Sequence, residues 1–465
     1  MTARAADAPS AGEVASAVQA RRSIGREVVA LALPAIGLSL LHTLVFLVDR
    51  AMLAAHSREA LASMQIGGPL VWSIFSVLTC FSVGTVALVG RAVGAVDRAL
   101  ARDAARGALA FALATGALTA VVSLAFHREV AGLLGRDGGA AVIAQAAAYL
   151  RAVLACAPTY FVATLAGATL AAGGNTRTPF VAGLLANAIN VAGNYVLIFG
   201  HYGAPRLGAG GAGIASAAGF TVEAVVLVAA LCRRDGPVSL LGGPWVARAS
   251  WNALVRILRV SFASLLEKLA YHGGFLGFVY VIATLGALAM AANQALISIE
   301  SIAFLTADGV GVAAAAVVAQ RLGAAHPDEA AKGARASLLL GVALLGSFGL
   351  VFALVPSVLV RLLTDDPAII AVAVPCMYVA AVAQPFMAIG TVLSQVLRGA
   401  GDTRTALLVS LSCALVVRLV ATCFAVFVLD LGLVGVWVGS TVDWATRTVL
   451  LAIAYRRGRW RALKV

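Results

Sequence analysis

Apolar runs long enough to cross a bilayer recur along this chain, and they leave one kind of fold open. A helix needs about 20 residues to span about 30 Å of hydrocarbon. Twelve stretches qualify: 28–54, 61–89, 104–126, 141–171, 179–199, 211–232, 258–285, 288–318, 334–355, 369–397, 406–428 and 432–454. In lipid the backbone must satisfy its own polar groups, which allows only helices or a closed barrel, and runs of this length are helices. Several exceed 25 residues, so they tilt or project into solvent. Hydrophobic residues make up 61 % of the chain and charged ones 12 %, against about 45–50 % and about 25 % in a soluble domain. The expected fold class is therefore an all-α integral membrane protein.

The chain also repeats itself. Ala172-Gly173-Gly174-Asn175-Thr176-Arg177-Thr178-Pro179 returns as Gly399-Ala400-Gly401-Asp402-Thr403-Arg404-Thr405-Ala406, a shift of 227 residues. Pro158 falls on Pro385 with the same shift, and Val89–Ala95 aligns with Val318–Ala324 at 229. Gly208 and Gly211 match Gly432 and Gly435. Motifs in one order at a nearly constant shift indicate an internal duplication. Each half holds six spans, an even number, so the halves are parallel repeats: two pseudo-symmetric six-helix lobes about an axis along the membrane normal.

Charge sets the orientation. With both termini inside, 24 of the 34 Lys and Arg residues fall in interior segments, six in exterior loops and four in spans. That bias predicts cytosolic termini and a multi-pass protein of the cell membrane. It also accounts for the net charge of +13 without nucleic acid, since no basic-aromatic interleaving is present. The expected domains are a disordered cytosolic tail at 1–26, an N-terminal lobe at 27–232, a cytosolic linker at 233–257, a C-terminal lobe at 258–455 and a basic tail at 456–465. The six cysteines are scattered through apolar runs without a CxxC, so neither a metal cage nor a disulfide framework is expected. GxSxG, HExxH and GxxxxGKST motifs are missing, so the chain reads as no enzyme, and uphill work has to come from an ion gradient.

Ionisable residues inside a membrane are functional candidates by default. Asp49 lies in the outer part of the first span, with His42 seven residues earlier on its face. A carboxyl group there can bind and release a proton, or share a sodium ion with neutral oxygens; the rival reading pairs it with Arg50 at the interface. His42 alone reads as a packing residue. Asn187, Asn190 and Asn194 form one stripe on the fifth span. Their amides can hydrogen-bond an acid, offer carbonyls to a hard cation, or simply join helices. Ser216 on the sixth span is a further candidate neighbour, while Glu223, two turns on, reads as snorkelling or pairing. In the second half the candidates are Glu267 with Tyr271 on its face, and Glu300 with Asp308. The last two are eight residues apart and suggest an acidic stripe facing Glu267. Asp443 and Arg447 stand at i, i+4 and are expected to form a structural ion pair that Arg418 can join.

The Val89–Ala95 and Val318–Ala324 motifs, the two Gly-rich turns and Asn190–Gly200 together resemble the multidrug and toxic compound extrusion (MATE) family over about residues 25–460. The stretch from Val417-Arg418 through Asp443-Trp444 to Arg447 resembles its bacterial branch near the DNA-damage-inducible subgroup. The resemblance implies two lobes that alternate around a central cavity, exporting amphipathic organic cations against inward proton or sodium flow. It implies a coupling acid at Asp49, completed by Asn190 and Asn194, and a helix-bending proline at Pro34. Archaeal members carry Asp at the position of Asn194. Sodium-coupled members pair the acid at Glu267 with one in the tenth helix, where residues 369–397 hold no Asp or Glu. Both departures favour protons over sodium. The expected function is thus a cation-coupled drug exporter with no cofactor, acting as a monomer on small organic cations. The rivals are a flippase for lipid-linked sugars, which needs several free basic groups in its cavity, and an intramembrane enzyme or receptor.

Overall fold

A computed structural model describes residues 11–134, 139–243 and 247–463, apart from the side chains of 11–23, 247, 275 and 276. The described residues form helices and no strand. Twelve long rods match the twelve apolar runs. Helices 1 to 6 are Ala11–His56, Arg58–Gly94, Arg98–Leu134, the pair Gly139–Ala155 and Ala157–Ala172, Arg177–Phe199 and Ala209–Leu231. Helices 7 to 12 are Ala247–Thr284, Ala287–Gly323, Pro327–Leu354, Pro367–Gly399, Thr403–Val428 and Gly432–Arg456. Nine of these are long and apolar enough to cross a membrane unaided, or ten if the bent fourth pair is one span. The other two, helices 7 and 12, carry Glu267 with Lys268 and Asp443 with Arg447 in mid-course.

Some rods are interrupted, and the interruptions have local causes. The fourth bends by 48° between Ala155 and Ala157, where Pro158 follows and cannot donate the backbone bond a continuous helix needs. Its repeat mate Pro385 lies inside an unbroken helix 10, as Pro34 does in helix 1. Helix 11 widens into π-turns at Ser412–Val417 and Phe424–Val428, on either side of Arg418.

The duplicated Gly-rich motif is a helix-to-helix turn in both halves. Gly174 (φ 86°) and Gly401 (φ 89°) take the left-handed conformation that costs glycine little. One residue on, Asn175 Oδ1 accepts from the Thr178 amide at 3.0 Å and Asp402 Oδ1 from the Thr405 amide at 3.3 Å, starting the next helix. The other repeated motif joins the lobes. A side chain at Gly94 would strike the Gln320 carbonyl, and one at Gly323 would strike the Arg91 carbonyl, so each copy packs on the other. Arg91 Nη2 donates to the Ala400 carbonyl at 2.9 Å, and Gln320 Nε2 to that of Ala172 at 2.6 Å. Both carbonyls lie at the ends of helices 10 and 4, where the helix leaves acceptors free. This reciprocal seam sits at the end of the bundle where helix 1 begins and helix 12 ends.

Two expectations about segments outside the spans change. The disordered tail expected at 1–26 is too long: helix 1 already runs from Ala11, while residues 1–10 lie outside the described residues. Part of the expected linker at 233–257 is helical, because helix 7 starts at Ala247 and continues into the span. Beyond helix 12 the chain folds back, burying Trp460 against the Tyr455 ring at 5.3 Å and pairing Arg461 with Asp328 at 3.4 Å.

Candidate functional site

Helices 1, 5 and 6 converge on one carboxyl group. Asp49 is 0 % exposed. Asn194 Nδ2 donates to its Oδ1 at 2.6 Å, and the Ser216 hydroxyl donates to its Oδ2 at 3.1 Å. Behind them, Asn190 Nδ2 donates to Ser216 Oγ at 3.0 Å, and Asn194 Nδ2 reaches Asn190 Oδ1 at 3.2 Å. Asn190 and Asn194 meet because residues four apart share a helix face. The small residues around Ser216 bring helix 6 close: a side chain at Gly219 would press on the Ala186 carbonyl of helix 5, and one at Gly193 on Ala215. The polar cluster thus follows from a close glycine- and alanine-lined crossing.

The electrostatics of this cluster are simple. Every group bonded to Asp49 is neutral, and no ion pair includes it among the described residues. The rival pairing with Arg50 is not formed. A buried carboxylate with two neutral donors is stabilised less than one with a cation. The buried Asn194 Oδ1 has no hydrogen-bond partner among the described residues. The cluster therefore offers a free acceptor beside the acid, where a proton or a small cation fits the donor set. No group of three or more His, Cys, Asp or Glu side chains that could hold a metal occurs among the described residues. Asn187 stands outside the cluster; its Nδ2 donates to the Gly183 carbonyl at 2.9 Å, one turn back on its own helix.

The second-lobe candidates are not brought together. Glu267 is held by Arg398 Nη2 of helix 10 at 2.6 Å. Asp308 accepts from Gln395 Nε2 at 3.1 Å, again across to helix 10. The acidic stripe expected to face Glu267 is thus divided between separate partners. Glu300 lies in the field of Arg418 and forms no ion pair with it. Tyr271 shares a small cleft with Glu267, Ser410 and Arg447. The remaining cluster is a compact triad: Asp443, 0 % exposed, accepts from Arg418 at 2.7 Å and from Arg447 at 3.2 Å. Arg447 also donates to Ser410 Oγ at 3.1 Å. The wide turns flanking Arg418 carry its guanidinium to Asp443. Sequence reading missed Arg398, Gln395 and Ser410 because no spacing links them to their partners. It also left His42 and Glu223 unconnected, whereas His42 Nε2 lies 3.7 Å from Glu223 Oε1.

Comparison with known proteins gives a consistent result. The sequence model of the MatE family matches residues 34–196 and 263–424, one segment in each lobe. A probable multidrug resistance protein NorM from Thermotoga maritima is 28 % identical over 438 residues, covering 94 % of this chain and 93 % of that protein. A probable multidrug resistance protein NorM from Pseudomonas putida is 30 % identical over 441 residues, covering 93 % of each. In fold, the chain resembles an outward-facing MATE family multidrug resistance transporter (TM-score 0.86, 20 % identity, 98 % and 99 % covered). It likewise resembles a MOP superfamily transporter from Pyrococcus furiosus (TM-score 0.85, 20 % identity, 99 % and 100 % covered).

Proposed function

This chain belongs to the MatE family, and we propose that it is a secondary antiporter that exports amphipathic organic cations, drugs or metabolites, in exchange for protons. The observation that carries this reading is the setting of Asp49: fully buried and, among the described residues, bonded to Asn194 and Ser216 and to no cation. Such an acid can change charge without breaking an ion pair. Protonated, it is a neutral group among neutral groups; ionised, it favours a cation nearby. If the two states prefer different arrangements of the lobes, proton binding shifts the equilibrium between them, because only a difference in affinity can do so. Asn190 acts one step behind, orienting Ser216 and Asn194 toward the acid. The site has a single carboxylate, which suits a proton better than sodium. The names of the multidrug resistance relatives support drugs as cargo.

A flippase for lipid-linked sugars fits less well. Arg418 and Arg447, two of the four basic residues inside the spans, are already bound to Asp443. We expect purified protein in vesicles to export a fluorescent cation such as ethidium under an imposed pH gradient and not under a sodium gradient alone. Asp49→Asn removes that response. Export that ignores the pH gradient, or survives Asp49→Asn unchanged, refutes the reading.

A further inference from the structure

Helices 1 and 6 meet through two polar rungs rather than one. His42 precedes Asp49 by seven residues on helix 1, and Glu223 follows Ser216 by seven on helix 6. Seven residues are nearly two turns, so each pair shares a face and lies about 10 Å apart along its helix. The helices run in opposite directions, so the two steps register. Ser216 Oγ meets Asp49 at 3.1 Å, and His42 Nε2 approaches Glu223 at 3.7 Å. The second rung lies two turns nearer the end of the bundle where helix 1 begins and helix 12 ends.

The chemistry of this rung is unusual for a lipid-embedded helix pair. Glu223 is 6 % exposed, and His42 is its one ion-pair partner among the described residues. The 3.7 Å separation exceeds a formed hydrogen bond, so the two groups sit near each other without locking. The His42 side chain is 47 % uncovered by protein, so no packing contact fixes its ring on every side. Histidine is the side chain whose ordinary titration lies between about pH 5 and 8. The surroundings add few competing charges. Tyr160 of helix 4, neutral at ordinary pH, lies within the field of Glu223. Helix 5 offers the amides of its asparagine stripe, and helix 2 has no charged residue between Glu59 and Arg91. Helix 8 packs on helix 1 where Gly309 abuts Ile36, and its adjacent acid, Asp308, is engaged by Gln395.

We propose that His42 and Glu223 form a second exchangeable proton site, one rung inward of Asp49, so that each cation leaving is matched by a proton at both rungs. The proton enters on His42 Nε2, making an imidazolium that pairs with the Glu223 carboxylate, and leaves from the same nitrogen on the other side of the cycle. The inference rests on the antiport reading above.

The test is the proton-to-substrate ratio in vesicles, read as the slope of logarithmic ethidium accumulation against the pH gradient at zero membrane potential. Glu223→Gln and His42→Gln each lose one proton per ethidium carried, so the slope falls by half while pH-driven export persists. Glu223→Asp, which keeps a carboxylate, retains the wild-type slope and guards against misfolding of the first variant. An unchanged slope in both Glu223→Gln and His42→Gln overturns the second site and leaves the antiport reading intact. A wild-type protein that ignores the pH gradient overturns both.

Discussion

Asp49 and Asp443, the fully buried acids of the two lobes, are held in opposite ways. In the N-terminal lobe Asp49 is held by an amide and a hydroxyl. In the C-terminal lobe Asp443 is clamped between Arg418 and Arg447, and Glu267 is bound to Arg398. An acid beside a fixed guanidinium keeps its charge, because neutralising it would strand a buried cation. An acid among neutral donors has no such obligation. The contrast separates arginine-clamped acids, which fasten helices together, from acids that can change state. Asp308, bonded to the neutral Gln395, and Glu300, in no ion pair among the described residues, belong with Asp49 in the second group. Glu223 stands between these cases, since its partner His42 can itself gain or lose a charge.

Mutations can break or sharpen this contrast, and stability is the common scale. Asp443→Asn has the largest expected effect. It removes the fully buried partner of two partly buried arginines, a loss of about 3–5 kcal/mol, seen as a strongly lowered melting temperature in detergent. Glu267→Gln comes next, since Arg398 retains a neutral acceptor, and costs about 1–3 kcal/mol. A double change with Arg398→Gln recovers part of that loss, which a double-mutant cycle measures. Asp49→Asn shifts melting by about 1 kcal/mol or less, because Asn194 Oδ1 is a free acceptor and the Ser216 hydroxyl can turn. Yet it abolishes pH-driven export in vesicles. Asn187→Ala is the mildest, below about 1 kcal/mol and with transport intact, since its amide bonds only its own helix. Should Asp443→Asn melt like wild type while Asp49→Asn unfolds, the division between lobes is wrong.

The pattern of legible and illegible features follows the physics of helices in lipid. All twelve rods were readable, because a bilayer imposes a length and forbids unsatisfied backbone. The cluster of Asp49, Asn190, Asn194 and Ser216 could be anticipated because helical spacing fixes which residues share a face. The same spacing grouped Asn187 with its neighbours, yet a face is broad, and Asn187 turns back to Gly183. Partners across helices were not readable. Glu267 finds Arg398 131 residues away because the long arginine side chain reaches across from helix 10, which no local pattern encodes. The bend near Cys156 and the wide turns around Arg418 escaped notice as well, since their apolar runs continue straight through. The repeated motifs were visible as repeats, but their reciprocal contact across the lobes required coordinates.

The central claim is that Asp49 exchanges its proton while the arginine-bound acids do not. Infrared difference spectra of the purified protein across pH steps read protonated carboxyl groups directly. The account predicts a component of the protonated-carboxyl band that is lost in Asp49→Asn and kept in Glu267→Gln. A band unchanged in Asp49→Asn, or reduced in Glu267→Gln, would contradict it.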